Sequence, residues 1–189
     1  MNKKTLRIVT IGLMAALVFV TSKFLTIPIA TIAGTPTRIH FGNVMCILSG
    51  LLFGGLSGGL ASGIGSMFMD LLDPVYLTSA PSTLINKFCM GFVAGKLSHR
   101  KKEGAQSQGW LILAAVAGQF TYIVLYLLKT FIEMSIMGHN INTILVALGE
   151  KALSSSINGV IAVVVAVPLA AILRKGLKGT AISKELIQP

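Results

Sequence analysis

The chain has 189 residues, of which 53% are hydrophobic and 12% charged, and its mean hydropathy is +0.81. Soluble domains carry about 25% charged residues, so this composition excludes an ordinary soluble protein and indicates an integral membrane protein. The 16 Lys and Arg against 6 Asp and Glu give a net charge of +10, which we attribute to basic helix ends beside anionic lipid and not to nucleic-acid binding.

Long apolar stretches separated by charged or turn-rich segments predict helices. A spanning helix needs about 20 residues, so the chain has room for about six of them in one compact bundle. We predict an all-α membrane protein with one domain over residues 1–189 and helices at about 6–27, 41–54, 55–72, 82–98, 109–132 and 142–173.

The first predicted helix follows the basic start MNKKTLR, which gives it the charge order of a signal peptide. No clear small-x-small cleavage site follows, so we interpret it as an uncleaved helix. Gly12 and Ala16 lie four residues apart on this helix, with Ala15 beside Ala16. That spacing brings membrane helices close together, but it recurs elsewhere in the chain and alone indicates only packing.

The segment 28–43 between the first two helices is rich in Thr, Gly and Pro and contains Arg38 and His40. So long a connection in so small a protein favours a lid or binding loop. Irregular backbone lying at the lipid surface is the alternative.

Residues 44–69 carry no charge, which suits either one tilted helix or two short helices broken near Gly54 and Gly55. The positive-inside bias decides between them, because only the break puts both termini and the loop with Lys101 and Lys102 on one side. We therefore predict six spans with cytoplasmic N and C termini. Glycines spaced by four in this region predict close helix packing, with a surface on which helices shift as the alternative.

Polar residues collect at the outer ends of the predicted spans. Asp70 ends the glycine-rich helix, and Asn86 and Lys87 lie one turn into the next one. A charge in hydrocarbon costs at least a few kcal/mol unless it faces a partner or a wet cavity, so we expect a polar cavity open to the outside. A structural ion pair between Asp70 and Lys87 is the alternative, and both roles are compatible.

The last helix carries Glu150, Ser154 and Asn158 at a spacing of four, which places them on one face, with Lys151 on the adjacent stripe. Three successive polar layers in a membrane helix predict cavity lining. The histidines lack metal-ligand spacing, and the sequence has no phosphate-binding loop. We therefore expect no metal, no cofactor and no enzymatic activity.

The glycine-rich stretch ending in DLLDP and the following APSTLINKFCMGFVAGKL, with six predicted helices in 189 residues, resemble S components of energy-coupling factor (ECF) vitamin transporters of the riboflavin type. The resemblance implies a high-affinity vitamin-binding subunit of an ABC-type importer in a prokaryotic cell membrane. Such a subunit works with an ECF module, made of a transmembrane T component and two ATPases, and topples to release its substrate inward. Riboflavin is the first guess and vitamin B6 or a hydroxymethylpyrimidine the next; the alternative is an autonomous secondary transporter or channel.

The resemblance also implies residue roles. In the family, small residues spaced by four on helix 1 contact the T component, which matches Gly12 and Ala16 with Ala15 beside them, and the following loop is a lid, which matches residues 28–43. Tyr122, Tyr126 and Phe88 are candidate stacking faces for a heterocycle. The expected substrate-binding residues are Arg38, His40, Asp70, Asn86, Lys87, Tyr122, Tyr126, Glu150, Lys151, Ser154 and Asn158.

Overall fold

A computed structural model describes residues 2–32, 37–100, 107–177 and 179–180. Within these ranges it contains five α-helices and one antiparallel pair of strands, which lie in the order α1 Lys3–Phe24, β1 Thr26–Ile29, β2 Thr37–His40, α2 Gly42–Leu71, α3 Ala80–Ser98, α4 Gln108–Ile136 and α5 Ile141–Leu177. In the described part of the chain, α1, α2, α4 and α5 are long and apolar enough to cross a membrane. The prediction of an all-α membrane protein is confirmed at the level of class. The predicted orientation depends partly on four lysines that lie outside the described ranges: Lys101, Lys102, Lys178 and Lys184.

The expected count of six helices is not reproduced, because the predicted helices 41–54 and 55–72 are joined in the single element α2. This element is kinked at Gly54, which has a φ of 80° and a ψ of −179°. Only glycine adopts that conformation without steric cost, so the residue that was expected to break the span is the one that bends it.

The two arms of α2, before and after the kink, lie side by side and run antiparallel. Ser49 Oγ donates a hydrogen bond to Gly58 O at 3.2 Å, and Ser62 Oγ donates to Cys46 O at 3.1 Å. A Cβ added at Gly58 would lie 2.4 Å from Gly50 Cα, so the arms touch through their backbones. Close contact of this kind is the packing that glycines spaced by four predict.

Helix α3 packs against the same glycine-rich surface. A Cβ at Gly91 would meet Gly58 O at 2.6 Å, and one at Gly95 would meet the backbone of Gly54 at 2.4 Å. The apolar core continues from this contact to α1, α4 and α5, and its fully buried centre includes Val18, Ile47, Leu51 and Met90.

The bundle has two chemically different ends. At the end that we call the basic end, Arg7 Nε donates to Ser57 Oγ at 2.9 Å and the guanidinium of Arg174 donates to the carbonyl of Leu51. These contacts bring the start of α1, the kink of α2 and the end of α5 together. At the opposite end, which we call the lid end, the strand pair β1–β2 connects α1 to α2 and lies against the middle of α5 at Ser154 and Asn158.

Candidate functional site

A cavity of about 350 Å³ opens at the lid end, between the strand pair and helices α2 to α5. Small-molecule sites in proteins have volumes of about 300–1,000 Å³, so this cavity can hold a small ligand. Every expected substrate-binding residue except Glu150 lies at its wall: Arg38, His40, Asp70, Asn86, Lys87, Tyr122, Tyr126, Lys151, Ser154 and Asn158.

The segment that was predicted to be a lid contains a short antiparallel ladder, which is hydrogen-bonded to α5 and is called the lid below. Asn158 Nδ2 donates to the carbonyl of Arg38 at 2.9 Å, and the backbone N–H of His40 donates to Asn158 Oδ1 at 2.9 Å. Because one amide satisfies both groups of β2, it fixes the register of this strand against the helix. The predicted lid segment 28–43 thus includes regular strands, while its residues 33–36 lie outside the described part of the chain.

The other two polar layers of α5 extend this fastening. Ser154 Oγ and Thr37 Oγ1 share a hydrogen bond of 2.8 Å, and the backbone N–H of Ile32 donates to Glu150 Oε1 at 2.5 Å. The expected polar face therefore exists, but its main contact is the lid. Glu150 in particular contacts the lid at Ile32 and does not line the cavity, so the structure does not place it where it was expected.

Arg38 joins the lid to the end of α2. Its guanidinium donates to Asp70 Oδ1 at 2.9 Å and to Asp73 Oδ2 at 3.3 Å, and it stacks on the ring of Tyr76 at 3.8 Å. Asp70 thus has an ion pair, but its partner is Arg38 and not Lys87, the partner that the structural alternative named. Asp73 and Tyr76 were not among the expected site residues.

A buried polar network lies at the bottom of the cavity. The ammonium of Lys87 donates to Asn43 Oδ1 and lies 3.8 Å from the centre of the Tyr122 ring. Asn43 Nδ2 donates to Gln119 Oε1 at 3.3 Å, and Gln119 Nε2 donates to the carbonyl of Ser155 at 3.3 Å. The sequence reading missed Asn43 and Gln119, although single amides inside apolar helices signal buried polar contacts.

The tyrosines do not offer free ring faces to a ligand. Tyr122 and Tyr126 stack on each other at 5.6 Å, and the ammonium of Lys151 lies 4.9 Å from the centre of the Tyr126 ring. Phe88 packs on Phe92 at 5.7 Å and is not at the cavity wall. In this structure the rings of Tyr122 and Tyr126 contact the ammonium groups of Lys87 and Lys151.

Asn86 is the polar side chain of the wall that is most available to a ligand. It is 7% exposed, and it has no hydrogen-bond partner among the described residues. Its amide offers one acceptor and two donors, which suits the edge of a heterocycle that has both kinds of group.

His40 is held in its neutral form. Its Nδ1 accepts a hydrogen bond from the backbone N–H of Gly42 at 3.1 Å. Burial lowers the pKa of His40 well below its ordinary value of 6.5, and the positive charges of Lys87 and Arg38 lower it further. Among the described residues, no group of three His, Cys, Asp or Glu side chains is placed to hold a metal ion.

The residues expected to dock a partner divide into two groups. Gly12 and Ala16 lie on the exposed face of α1, where a Cβ at Gly12 would meet no atom within 4 Å. Ala15 is buried, and its carbonyl would lie 2.3 Å from a Cβ added at Gly65 of α2. Ala15 therefore packs inside the bundle, whereas Gly12 and Ala16 lie on its surface.

Residues 2–175 match the family described as "ECF-type riboflavin transporter, S component". No match was found among curated proteins.

Proposed function

The chain belongs to the family of ECF-type riboflavin transporter S components, and we propose on this basis that it captures riboflavin outside the cell. Its family comprises membrane-embedded transport subunits for vitamin uptake and is not a family of enzymes. Vitamin B6 and a hydroxymethylpyrimidine are the next candidates for the ligand.

The observation that carries the proposal is the cavity at the lid end. Its lid is fastened by Asn158, its wall has the available amide of Asn86, and its charged groups are held in place by neighbouring side chains. A ligand in this cavity would be enclosed by the strand pair, which is the arrangement that high-affinity capture requires. Opening of the lid then requires that the bonds between β2 and α5 break.

We place the basic end in the cytoplasm and the lid end outside, because positively charged helix ends are enriched on the cytoplasmic side. Arg7 and Arg174 at the basic end support this orientation, which also puts both termini inside the cell. The antiparallel arms of α2 support counting them as two spans, so that the chain crosses a prokaryotic cell membrane six times.

The proposed partner is an ECF module with a transmembrane T component and two ATPases. Gly12 and Ala16 form a small-residue surface on α1 that lets a partner helix approach closely. In this proposal the subunit binds vitamin alone, and it topples in the membrane to release the vitamin only when it is docked to the module.

The decisive experiment identifies the molecule that the protein retains. Protein purified in mild detergent is denatured, and the supernatant is examined by absorbance and mass spectrometry. We expect released riboflavin, and we expect Asn86→Leu to retain much less than wild type. Ile85→Leu is the matched control on the neighbouring, 58% exposed position and should retain the wild-type amount. A preparation without flavin overturns riboflavin as the ligand.

An autonomous transporter or channel is the alternative function, and a flux measurement separates the two. The purified protein is reconstituted alone in vesicles and given a gradient of labelled riboflavin. We expect saturable binding without entry into the vesicles, because in this proposal the subunit releases vitamin inward only when it is docked to the module. Flux that scales with the amount of protein contradicts the S-component mechanism.

A further inference from the structure

An open groove lies on the surface of α3 at the basic end, away from the cavity. It is lined by Val93, Lys96, Leu97 and Arg100. These positions have the spacing i, i+3, i+4 and i+7, which places them on one face of the helix and of the turn that follows it. The half-buried Val93 and Leu97 make one part of the groove apolar, and the exposed Lys96 and Arg100 make the other part cationic.

The two cations of the groove have no carboxylate partner in the described part of the chain. The acidic residues of that part all lie at the lid end, where they line the cavity, pair with Arg38 or contact the lid: Asp70, Asp73, Glu133 and Glu150. Lys96 has only the ring of Phe92, whose centre is 5.6 Å from its ammonium. The groove therefore has positive charge that a partner outside the chain can neutralise.

The groove lies at the level where a membrane meets water. The single tryptophan of the chain, Trp110 of α4, donates its indole N–H to the carbonyl of Leu97 at 3.0 Å. Tryptophan is enriched at membrane interfaces, because its ring suits lipid and its N–H needs a polar partner. On the same turn of α3, Gly95 packs against the backbone of Gly54 at the kink, which belongs to the basic end. The phosphates of lipid headgroups lie at this interfacial level.

We propose that the groove binds an anionic phospholipid, with the headgroup phosphate on Lys96 and Arg100 and the apolar part of the lipid against Val93 and Leu97. A guanidinium binds phosphate oxygens as a fork, and an ammonium adds a compact positive charge. A free phosphate would use only the cations, and a zwitterionic lipid brings a cation of its own. This inference goes beyond the proposed function and does not depend on which vitamin is captured.

Lipid retention by the wild-type protein is the first test. Protein in mild detergent is mixed with equal amounts of phosphatidylglycerol and phosphatidylcholine that have the same acyl chains, and the retained lipid is identified by native mass spectrometry. We expect at least about tenfold more retained phosphatidylglycerol, because each of the two cations should favour anionic lipid by about fivefold. Equal retention of the two lipids overturns the site without the need for any variant.

Charge-matched variants locate the preference in the groove. Lys96→Gln combined with Arg100→Gln should bring the retention of the two lipids to within about twofold of each other. The control combines Lys4→Gln with Lys175→Gln, which removes the same two charges from exposed positions of the basic end that do not line the groove. This control should keep the preference of wild type. Equal loss in both double variants would assign the effect to the net charge of this end and overturn the groove.

Two further measurements separate the lipid from other anionic partners. An excess of glycerol phosphate, which has the charge but no acyl chains, should leave the lipid bound, and displacement would assign the groove to a soluble phosphate instead. A groove double variant that keeps its lipid preference but loses uptake with the complete transporter would assign the groove to the ECF module. Retained flavin is measured on the same samples, and its absence counts against the proposed function alone, because the lipid preference needs no vitamin.

Discussion

Asn158 is the residue through which α5 holds the lid most directly, since its amide bonds both the carbonyl of Arg38 and the N–H of His40. Both groups belong to the backbone of β2, so both lose their hydrogen-bond partner when the amide of Asn158 is removed. A buried backbone group without a partner costs about 1–3 kcal/mol. Among the contacts between α5 and the lid, the two bonds of this side chain should therefore contribute most to the stability of the closed lid.

We predict that Asn158→Ala speeds dissociation of the bound ligand by about tenfold or more, which corresponds to ~1.4 kcal/mol or more. Stopped-flow measurement of ligand release gives the rate. Asn142→Ala is the matched control, because Asn142 is an exposed asparagine on the same helix, and its release rate should equal that of wild type. Equal rates for Asn158→Ala and wild type contradict the fastening role of α5.

His40 should make stability depend on pH. Its pKa in the folded protein is lowered well below 6.5, mainly by burial and further by Lys87 and Arg38, so the unfolded chain binds a proton that the folded chain does not. Stability is then unaffected above pH 6.5 and decreases as the pH falls below it, by up to about 1.4 kcal/mol per pH unit.

Thermal unfolding in detergent between pH 7.5 and 5 measures this dependence. We expect His40→Gln to flatten the decrease below pH 6.5, because the variant has no group to titrate at this position. His139→Gln, at an exposed histidine of the lid end, should keep the wild-type profile. An equally steep decrease in His40→Gln would assign the effect to other groups.

At the scale of elements, the packing of the two arms of α2 against each other and against α3 depends on close contact between their backbones. A Cβ at Gly58 would lie 2.4 Å from Gly50 Cα, and the neighbour is backbone, which cannot move away as a flexible side chain does. We predict that Gly58→Ala destabilises the protein by about 2 kcal/mol or more, as overpacking of a tight interface does.

The unfolding midpoint in a denaturant titration tests this prediction. Gly149→Ala is the control, because a Cβ at Gly149 of α5 meets no atom within 4 Å. In a helix interior alanine is favoured over glycine by about 1 kcal/mol, so this variant should be as stable as wild type or more stable. Equal loss in both variants would indicate a general effect of glycine replacement and not the contact between the arms.

Elements were predictable where one physical signal dominates. The break at Gly54 follows from charge bias and glycine content, and the structure bends the chain at that residue. The strands Thr26–Ile29 and Thr37–His40 were not predictable, because four-residue strands carry too short an alternation to be recognised and depend on their contact with Asn158. The contact between the polar face of α5 and the lid could not be predicted either. Spacing determines which residues share a helix face but not which element packs against that face.

At the scale of the whole molecule, the two ends of the bundle differ in their chemistry. The sequence indicated a basic side and a polar cavity, because charge counts along the chain report on the ends of spans. It did not indicate how the charges pair. Asp70 forms an ion pair with Arg38 of the lid, 32 positions away, and Lys87 donates a hydrogen bond to Asn43 instead. Such pairing is set by the packing of several elements at once, which no local pattern records.

The exposed face of α1 is where the bundle can meet a partner without changing its own core. Ala16 is exposed on this face, whereas the adjacent Ala15 is packed against α2. We predict that Ala16→Trp abolishes vitamin uptake by cells with the complete transporter and leaves ligand binding by the purified subunit within about twofold of wild type. A bulky ring prevents the close approach that small residues permit, but at an exposed site it does not disturb the fold.

The control for this prediction adds the same bulk to another exposed surface of the bundle. Val160 is 64% exposed on α5, so Val160→Trp should preserve both uptake and binding. Lost binding in Ala16→Trp would place this residue in the fold and not in the docking face, and lost uptake in both variants would mean that bulk anywhere on the bundle impedes its motion. Docking is assigned to α1 if Ala16→Trp loses uptake and Val160→Trp does not. The two variants add the same ring and differ in the face of the bundle that carries it.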